Sequence, residues 1–141
     1  MHTGRTQLKA MQASVHPFCL VCSGSNPYGL ALEFAVNDDG SVTASFTGNS
    51  AVEGFQGLLH GGMIASLLDG AMTNCLFAHG LVAVTAELKV RYHKPVATGC
   101  EMIVRAWIEK PYPPLYFMRA ELKQEGCVKA TALAKFMENH E

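Results

Sequence analysis

The sequence predicts an α+β domain in which a curved antiparallel sheet wraps around one long central helix. Three observations predict it. One long stretch, Gly61–Ala78, carries apolar residues at helical spacing. Six other segments alternate apolar and polar residues at a period of two, as half-buried strands do. Short turns join most consecutive alternating segments, which favours antiparallel pairing, and one helix with a long apolar face needs that sheet to cover it.

The elements follow in order. Residues 1–29 form a lead-in, with Leu8 and Met11 at helical spacing between Met1 and Ser14, then a Cys-x-x-Cys loop from Cys19 to Gly29 broken by Gly24, Pro27 and Gly29. Leu30–Asn37 alternates as a strand. Asp38-Asp39-Gly40 makes a hairpin turn, and Ser41–Thr47 returns. Gly48–Leu59 is irregular. The helix Gly61–Ala78 stops at Gly80, in the position of a helix C-cap. Leu81–Tyr92 alternates again, with Val84, Ala86, Leu88, Val90 and Tyr92 opposite Thr85, Glu87, Lys89 and Arg91. Lys94–Gly99 turns the chain. Glu101–Glu109 is a strand, Pro111, Pro113 and Pro114 a rigid connection, Leu115–Lys123 a strand, Glu125-Gly126 a turn and Cys127–Met137 the last strand.

Composition narrows the function. The chain has 141 residues, the length of a single domain covering 1–141. Net charge is −1 with the histidines neutral, without the basic excess of a nucleic-acid binder. Charged residues are only 16%, against about 25% in a typical soluble domain, which suggests that another subunit covers part of the surface. No run approaches the ~18 consecutive apolar residues of a membrane span, and Met1–His16 lacks the apolar core of a signal peptide. A cytoplasmic protein with free thiols is the expectation. His16, Cys19 and Cys22 offer three metal ligands, but no second Cys pair completes a site, so no metal is assigned.

The helix holds the candidate chemistry. On a helical wheel, Met63, Ile64, Leu67, Leu68, Ala71 and Cys75 form one bulky stripe suited to the sheet. The opposite row contains Gly62, Ala65, Ser66, Asp69, Gly70 and Thr73, small side chains apart from one carboxylate. Asp69 admits two readings: an ordinary Asp on a solvated face, or a carboxylate held for chemistry. At the helix start, His60-Gly61-Gly62 puts two glycines where backbone N–H groups are unpaired and the helix dipole is positive. Those N–H groups can polarise a carbonyl as an oxyanion hole does; tight packing against Gly54–Leu59 is the other reading. Gly61 and Asp69 stand ~12 Å apart on one helix, beyond the ~3 Å reach of a catalytic contact. If both act on one carbonyl, Asp69 comes from a neighbouring chain whose helix runs antiparallel beside the first, as a two-fold dimer allows.

The run from Gly57 through His60-Gly61-Gly62-Met63 to Leu68-Asp69-Gly70-Ala71-Met72 resembles the helix signature of hotdog-fold acyl-CoA thioesterases of the phenylacetate-pathway (PaaI-like) type. Thr85–Tyr92 with Lys94-Pro95-Val96 is similar to that family's next strand and turn. The segment Cys19-Leu20-Val21-Cys22 with Asn26-Pro27-Tyr28-Gly29-Leu30 is similar to a segment of some members. The resemblance implies a hotdog fold, a homodimer or dimer of dimers, and hydrolysis of an acyl-CoA thioester. It assigns Asp69 as nucleophile or general base, the Gly61 N–H and that of Gly62 to the thioester carbonyl, His60 to the sulfur or pantetheine, and Thr73 and Thr85 to hydroxyls near the attacking water. Some relatives carry Asn or Gln where this chain has Gly54, and Gln56 is the nearby substitute. In the connection after Glu109, where relatives carry a basic residue against CoA, Lys110 is the candidate.

Thioester chemistry suits such a site. A thiol leaving group with a pKa near 8.5 departs as thiolate without obligatory protonation, so one carboxylate and a polarised carbonyl suffice. CoA would enter as part of the substrate, with no separate cofactor. Arg91, Lys94 and Lys110 are candidates for its phosphates, or members of a solvated face. Thr85 falls on the polar side by plain alternation, so its role requires a bulge or an interface position. Two other classes compete. One is a non-catalytic acyl-CoA binder, motivated by Gly54. The other is a hydratase, for which His60 lacks an evident partner carboxylate.

Overall fold

The apolar-striped segment forms helix α2 (Gly61–Ala78), with the bounds its spacing predicts. The computed structural model describes residues 2–139. In chain order it contains α1 (His2–Val15), β1 (Ala35–Val36), β2 (Val42–Thr47), a 3-10 turn at Ser50–Val52, α2, β3 (Ala83–Tyr92), β4 (Glu101–Tyr112), β5 (Leu115–Gln124) and β6 (Cys127–Glu138). The strands form one antiparallel sheet in the order β1-β2-β4-β5-β6-β3. β3 follows α2 in the chain yet pairs with the last strand, which puts it on the sheet edge. A curved sheet around one central helix is the predicted architecture.

Side-chain size lets the helix sit close to the sheet. Val42, Ala106, Ala120, Ala132 and Val90 are successive register partners across five strands. The three alanines are buried, as are Leu67, Leu68, Ala71, Met72 and Cys75 of α2. Small residues in that row leave room for the bulky helix stripe, while Val104 and Leu122 on one side and Ile108 and Met118 on the other fill the neighbouring rows. Each fully buried Leu contributes roughly 1.5–3 kcal/mol.

Four features differ from the sequence expectation. The lead-in is a helix of 14 residues whose Leu8 is fully buried. It is tied to α2 by Gln12, whose Nε2 donates to Oδ1 of the buried Asn74 at 2.7 Å. The strand expected at Leu30–Asn37 pairs only at Ala35–Val36. Upstream, Leu30 and Leu32 donate their N–H groups back to Leu20 and Val21 of the Cys-x-x-Cys loop, and Ala31 adopts a φ of 52°. The alternation there reports burial of Leu32 and Phe34 rather than ladder pairing. β4 runs on to Tyr112, with Pro111 inside it. β2 covers β4 only between Glu101 and Ala106, so at Pro111 one side of β4 has no strand to receive a hydrogen bond, and proline is tolerated.

Gly70 leaves the open row of α2. It is buried under Val21: a Cβ at Gly70 would lie 2.7 Å from Val21 Cγ1. The Cys-x-x-Cys loop therefore lies directly on the helix, one residue from Asp69. No helix among the described residues is long and apolar enough to cross a membrane.

Candidate active site

The first half of the site is backbone chemistry at the start of α2. Leu59 N–H donates to Val96 O at 2.8 Å and His60 N–H to Val52 O at 2.9 Å. These bonds deliver His60 to the helix N-cap in an extended conformation. Its Nδ1 accepts the Gly62 N–H at 2.8 Å, while Met63 and Ile64 donate to the His60 carbonyl. An accepting Nδ1 leaves the neutral ring's proton on Nε2. Of the two glycine donors, Gly62 is thus already engaged, and the Gly61 N–H is left without a hydrogen-bond partner among the described residues. Tyr92 Oη donates to the Gly61 carbonyl at 2.8 Å and ties the end of β3 to the first helical turn. A cleft of about 380 Å³ opens there, lined among others by Phe55, Leu58, Gly61, Tyr92 and Lys94.

The second half lies two turns along the helix. Asp69 is half-buried, and its Oδ1 accepts the Thr85 hydroxyl at 2.6 Å. Plain alternation puts Thr85 on the far side of the sheet with Glu87 and Lys89. A register shift between Thr85 and Glu87 changes this. Thr85 pairs with the buried Phe136 and faces the helix, whereas Glu87 pairs with Lys135 on the outer face. The bulge that the role of Thr85 requires is therefore present. Thr73 behaves otherwise: its hydroxyl donates to the Asp69 carbonyl oxygen at 3.0 Å, a bond back along the helix rather than one to the carboxylate.

A family model for the thioesterase superfamily matches residues 56–131, more than half of the chain. The chain belongs to the thioesterase superfamily. Acyl-coenzyme A thioesterase THEM4 of Rattus norvegicus is 31% identical over 85 residues, 58% of this chain and 36% of that protein, so the chain spans about a third of the length of such a curated relative. The PaaI protein of E. coli, from the phenylacetic acid degradation operon, superposes with a TM-score of 0.82 at 17% identity, covering 98% of this chain and 94% of its own. The smu.793 protein of Streptococcus mutans, solved bound to acetyl CoA, superposes with a TM-score of 0.72 at 16% identity, covering 77% of this chain and 88% of its own.

In this thioesterase-superfamily chain the other expected site residues scatter. Lys94 joins the Gly61 cleft. Arg91 lies on the outer sheet face, in a separate concavity of about 490 Å³ with Lys89, His93, Trp107 and Arg119. Lys110 stands opposite Phe117, beyond the β4 bulge. Gln56 is exposed in the turn closed by Leu58 N–H on Phe55 O and does not line the cleft, whereas its neighbour Phe55 does. Sequence reasoning missed Phe55, Leu58 and Tyr92. The tyrosine had a signal: it ends an apolar strand face just before Lys94-Pro95, next to the helix start. Of the five thiols, Cys75 is pushed up to about 12 by burial, and Cys19 is held down to about 5, chiefly by a hydrogen bond from the Cys22 thiol.

Proposed function

We propose that the protein hydrolyses acyl-CoA or aryl-CoA thioesters as a homodimer or a dimer of dimers. One observation carries the reading: an unpartnered Gly61 N–H opens on a cleft, and a Thr85-held carboxylate stands ~12 Å away on the same helix. Neither half suffices alone. A second chain in antiparallel array brings its Asp69 to the first chain's Gly61 and completes two equivalent sites.

The exposed edge of β3 supports such a partner. It presents a ladder of unpaired backbone groups along its free side, with exposed Val84, Leu88 and Tyr92. Pairing two β3 edges about a two-fold axis joins the sheets and sets the two α2 helices side by side. The small faces of Ala65, Ser66 and Thr73 permit that approach.

Chemistry follows from the donors. The thioester carbonyl oxygen accepts the Gly61 N–H, and the dipole of α2 favours the charge it gains. Asp69 takes a proton from water as the water oxygen attacks the carbonyl carbon. The tetrahedral oxyanion then collapses, the C–S bond breaks, and CoA leaves as thiolate. Direct attack by Asp69, giving a mixed anhydride that water cleaves, uses the same groups. His60, with its proton on Nε2, stands beside the sulfur, Lys94 offers an ammonium to the CoA phosphates at the cleft, and Phe55, Leu58 and Ile64 supply apolar wall.

A panel of acyl- and aryl-CoA substrates, read by release of free thiol, tests the proposal. Turnover by the wild-type chain and its loss in Asp69→Ala are expected. Tight binding without turnover would make the protein an acyl-CoA binder instead, and full turnover by Asp69→Ala would overturn the assigned chemistry.

A further inference from the structure

The Cys-x-x-Cys loop lies apart from the proposed hydrolysis and is built with unusual care for a segment that has almost no regular structure. His16 follows the last residue of α1, and Cys19 and Cys22 sit in the next turns. One ligand atom from each lies within 4.8 Å of the others, and His16 Nδ1 is 3.6 Å from Cys22 Sγ. Around a tetrahedral ion with Zn–S near 2.3 Å and Zn–N near 2.1 Å, ligand atoms stand about 3.5–3.8 Å apart. The cluster needs only small side-chain rotations to reach that spacing.

We propose that His16, Cys19 and Cys22 form a zinc-class metal site that staples the N-terminal loop onto helix α2. Three further features fit a ligand set. The Val21 and Cys22 N–H groups both point at Cys19 Sγ, at 3.3 and 3.4 Å, and so stabilise a thiolate there. The imidazole of His16 is set edge-on against Phe77 of α2, with ring centroids 5.2 Å apart, which fixes the plane of its lone pair. His16 and Cys22 also line a cleft of about 500 Å³, so a fourth position is open to water. Two thiolates and an imidazole form a borderline-soft donor set that selects zinc over magnesium or calcium.

The consequence is mechanical. Val21 stands between the two cysteines and presses on Gly70, the α2 residue directly after Asp69. A bound ion holds Cys19 and Cys22 to the end of α1 and so holds Val21 in place. The cluster does not depend on what the active site hydrolyses, and its test is separate from the thiol-release assay.

The test uses the full chain, reduced and stripped of metal with a chelator, then titrated with Co(II) and afterwards with Zn(II). The expected result is one Co(II) per chain with thiolate-to-metal charge-transfer bands and the intense visible bands of a tetrahedral ion, both erased by Zn(II), and a higher melting temperature in the zinc form. The Cys100→Ser/Cys127→Ser variant should keep the signal. Cys19→Ser/Cys22→Ser and, as a milder change, His16→Gln should each lose it while retaining wild-type far-UV circular dichroism. Co(II) spectra without thiolate bands, no binding by the reduced folded chain, or undiminished binding by both His16→Gln and the double serine variant would each overturn the proposal.

Discussion

Thr85 donates its hydroxyl to Oδ1 of Asp69 at 2.6 Å, and it reaches that carboxylate only because β3 is irregular between Thr85 and Glu87. Without the bulge the same threonine would point away from the helix. The bulge thus aims one hydroxyl at the only charged side chain of α2. An oriented carboxylate loses less freedom on reaching its reactive position than a free one.

Removing that donor should therefore cost rate rather than fold. Thr85→Val is expected to lower kcat about tenfold, the scale of one hydrogen bond to a charged group, with the melting temperature little changed. Thr85→Ser restores the donor and should recover most of the rate. An unchanged kcat in the valine variant, measured by thiol release, would assign Thr85 to packing alone.

Gly61 allows an unusually clean removal of a backbone donor. His60 has φ −61° and ψ 135°, compatible with a following proline, and the first helical position accepts proline well. Gly61→Pro deletes the free N–H and should lower kcat by about 10²-fold or more. Gly61→Ala keeps the N–H, and its Cβ would sit at an ordinary 3.6 Å from the Tyr92 ring, so it should stay near wild type. Heterodimers of Gly61→Pro with Asp69→Asn contain one intact site, and they should regain about half the wild-type rate. No recovery in purified heterodimers would place both groups in a single chain.

Gly70→Ala probes the loop. Its Cβ would fall 2.7 Å from Val21 Cγ1, too close to accommodate without moving the Cys-x-x-Cys segment. A loss of roughly 1–3 kcal/mol of stability is expected from overpacking, read by chemical denaturation. Shortening the wedge in Gly70→Ala/Val21→Ala should return part of it.

Acid sensitivity should centre on the hairpin turn before β2. Asp39 is held down to about 2, first by the Ser41 hydroxyl, then by the Ser41 N–H and by Arg105, whose Nη2 donates to Oδ2 at 2.9 Å. Its folded value lies below the unfolded 3.8, so its contribution is present above about pH 4 and is lost as pH falls toward 2. Melting temperatures of wild type and Asp39→Asn should differ near neutrality and converge across that window. A gap that persists to the acid end would show that the carboxylate's charge is not what holds the turn.

Much of this was legible in the residues. The bounds of α2 followed from helical spacing between Gly61 and the stop at Gly80, and the antiparallel pairing from turns such as Asp39-Gly40 and Glu125-Gly126. That Gly61 and Asp69 lie too far apart on α2 to meet one small group within a single chain followed from the rise of a helix. Less legible was the difference between burial and pairing. Leu32 and Phe34 alternate like a strand because both are buried, yet Leu32 bonds to a loop. Gly70 looked like a neighbour of Asp69 on an open face, and nothing local announces that Val21, far away in the chain, covers it.

The sequence by itself determined most of what is periodic or local: the bounds of α2 and the later strands, which helix face is apolar, where the backbone donors and the one carboxylate lie along α2. Only the tertiary structure decided what depends on chain segments distant in sequence. It spent the Gly62 N–H on His60 while leaving that of Gly61 open, turned Thr85 inward through an irregularity in the β3–β6 ladder, put Arg91 on the far face of the sheet, and drew His16, Cys19 and Cys22 together against α2. The physical reason is that periodicity encodes which face of an element is buried, whereas register, bulges and loop docking are set by packing between elements whose partners no single segment names.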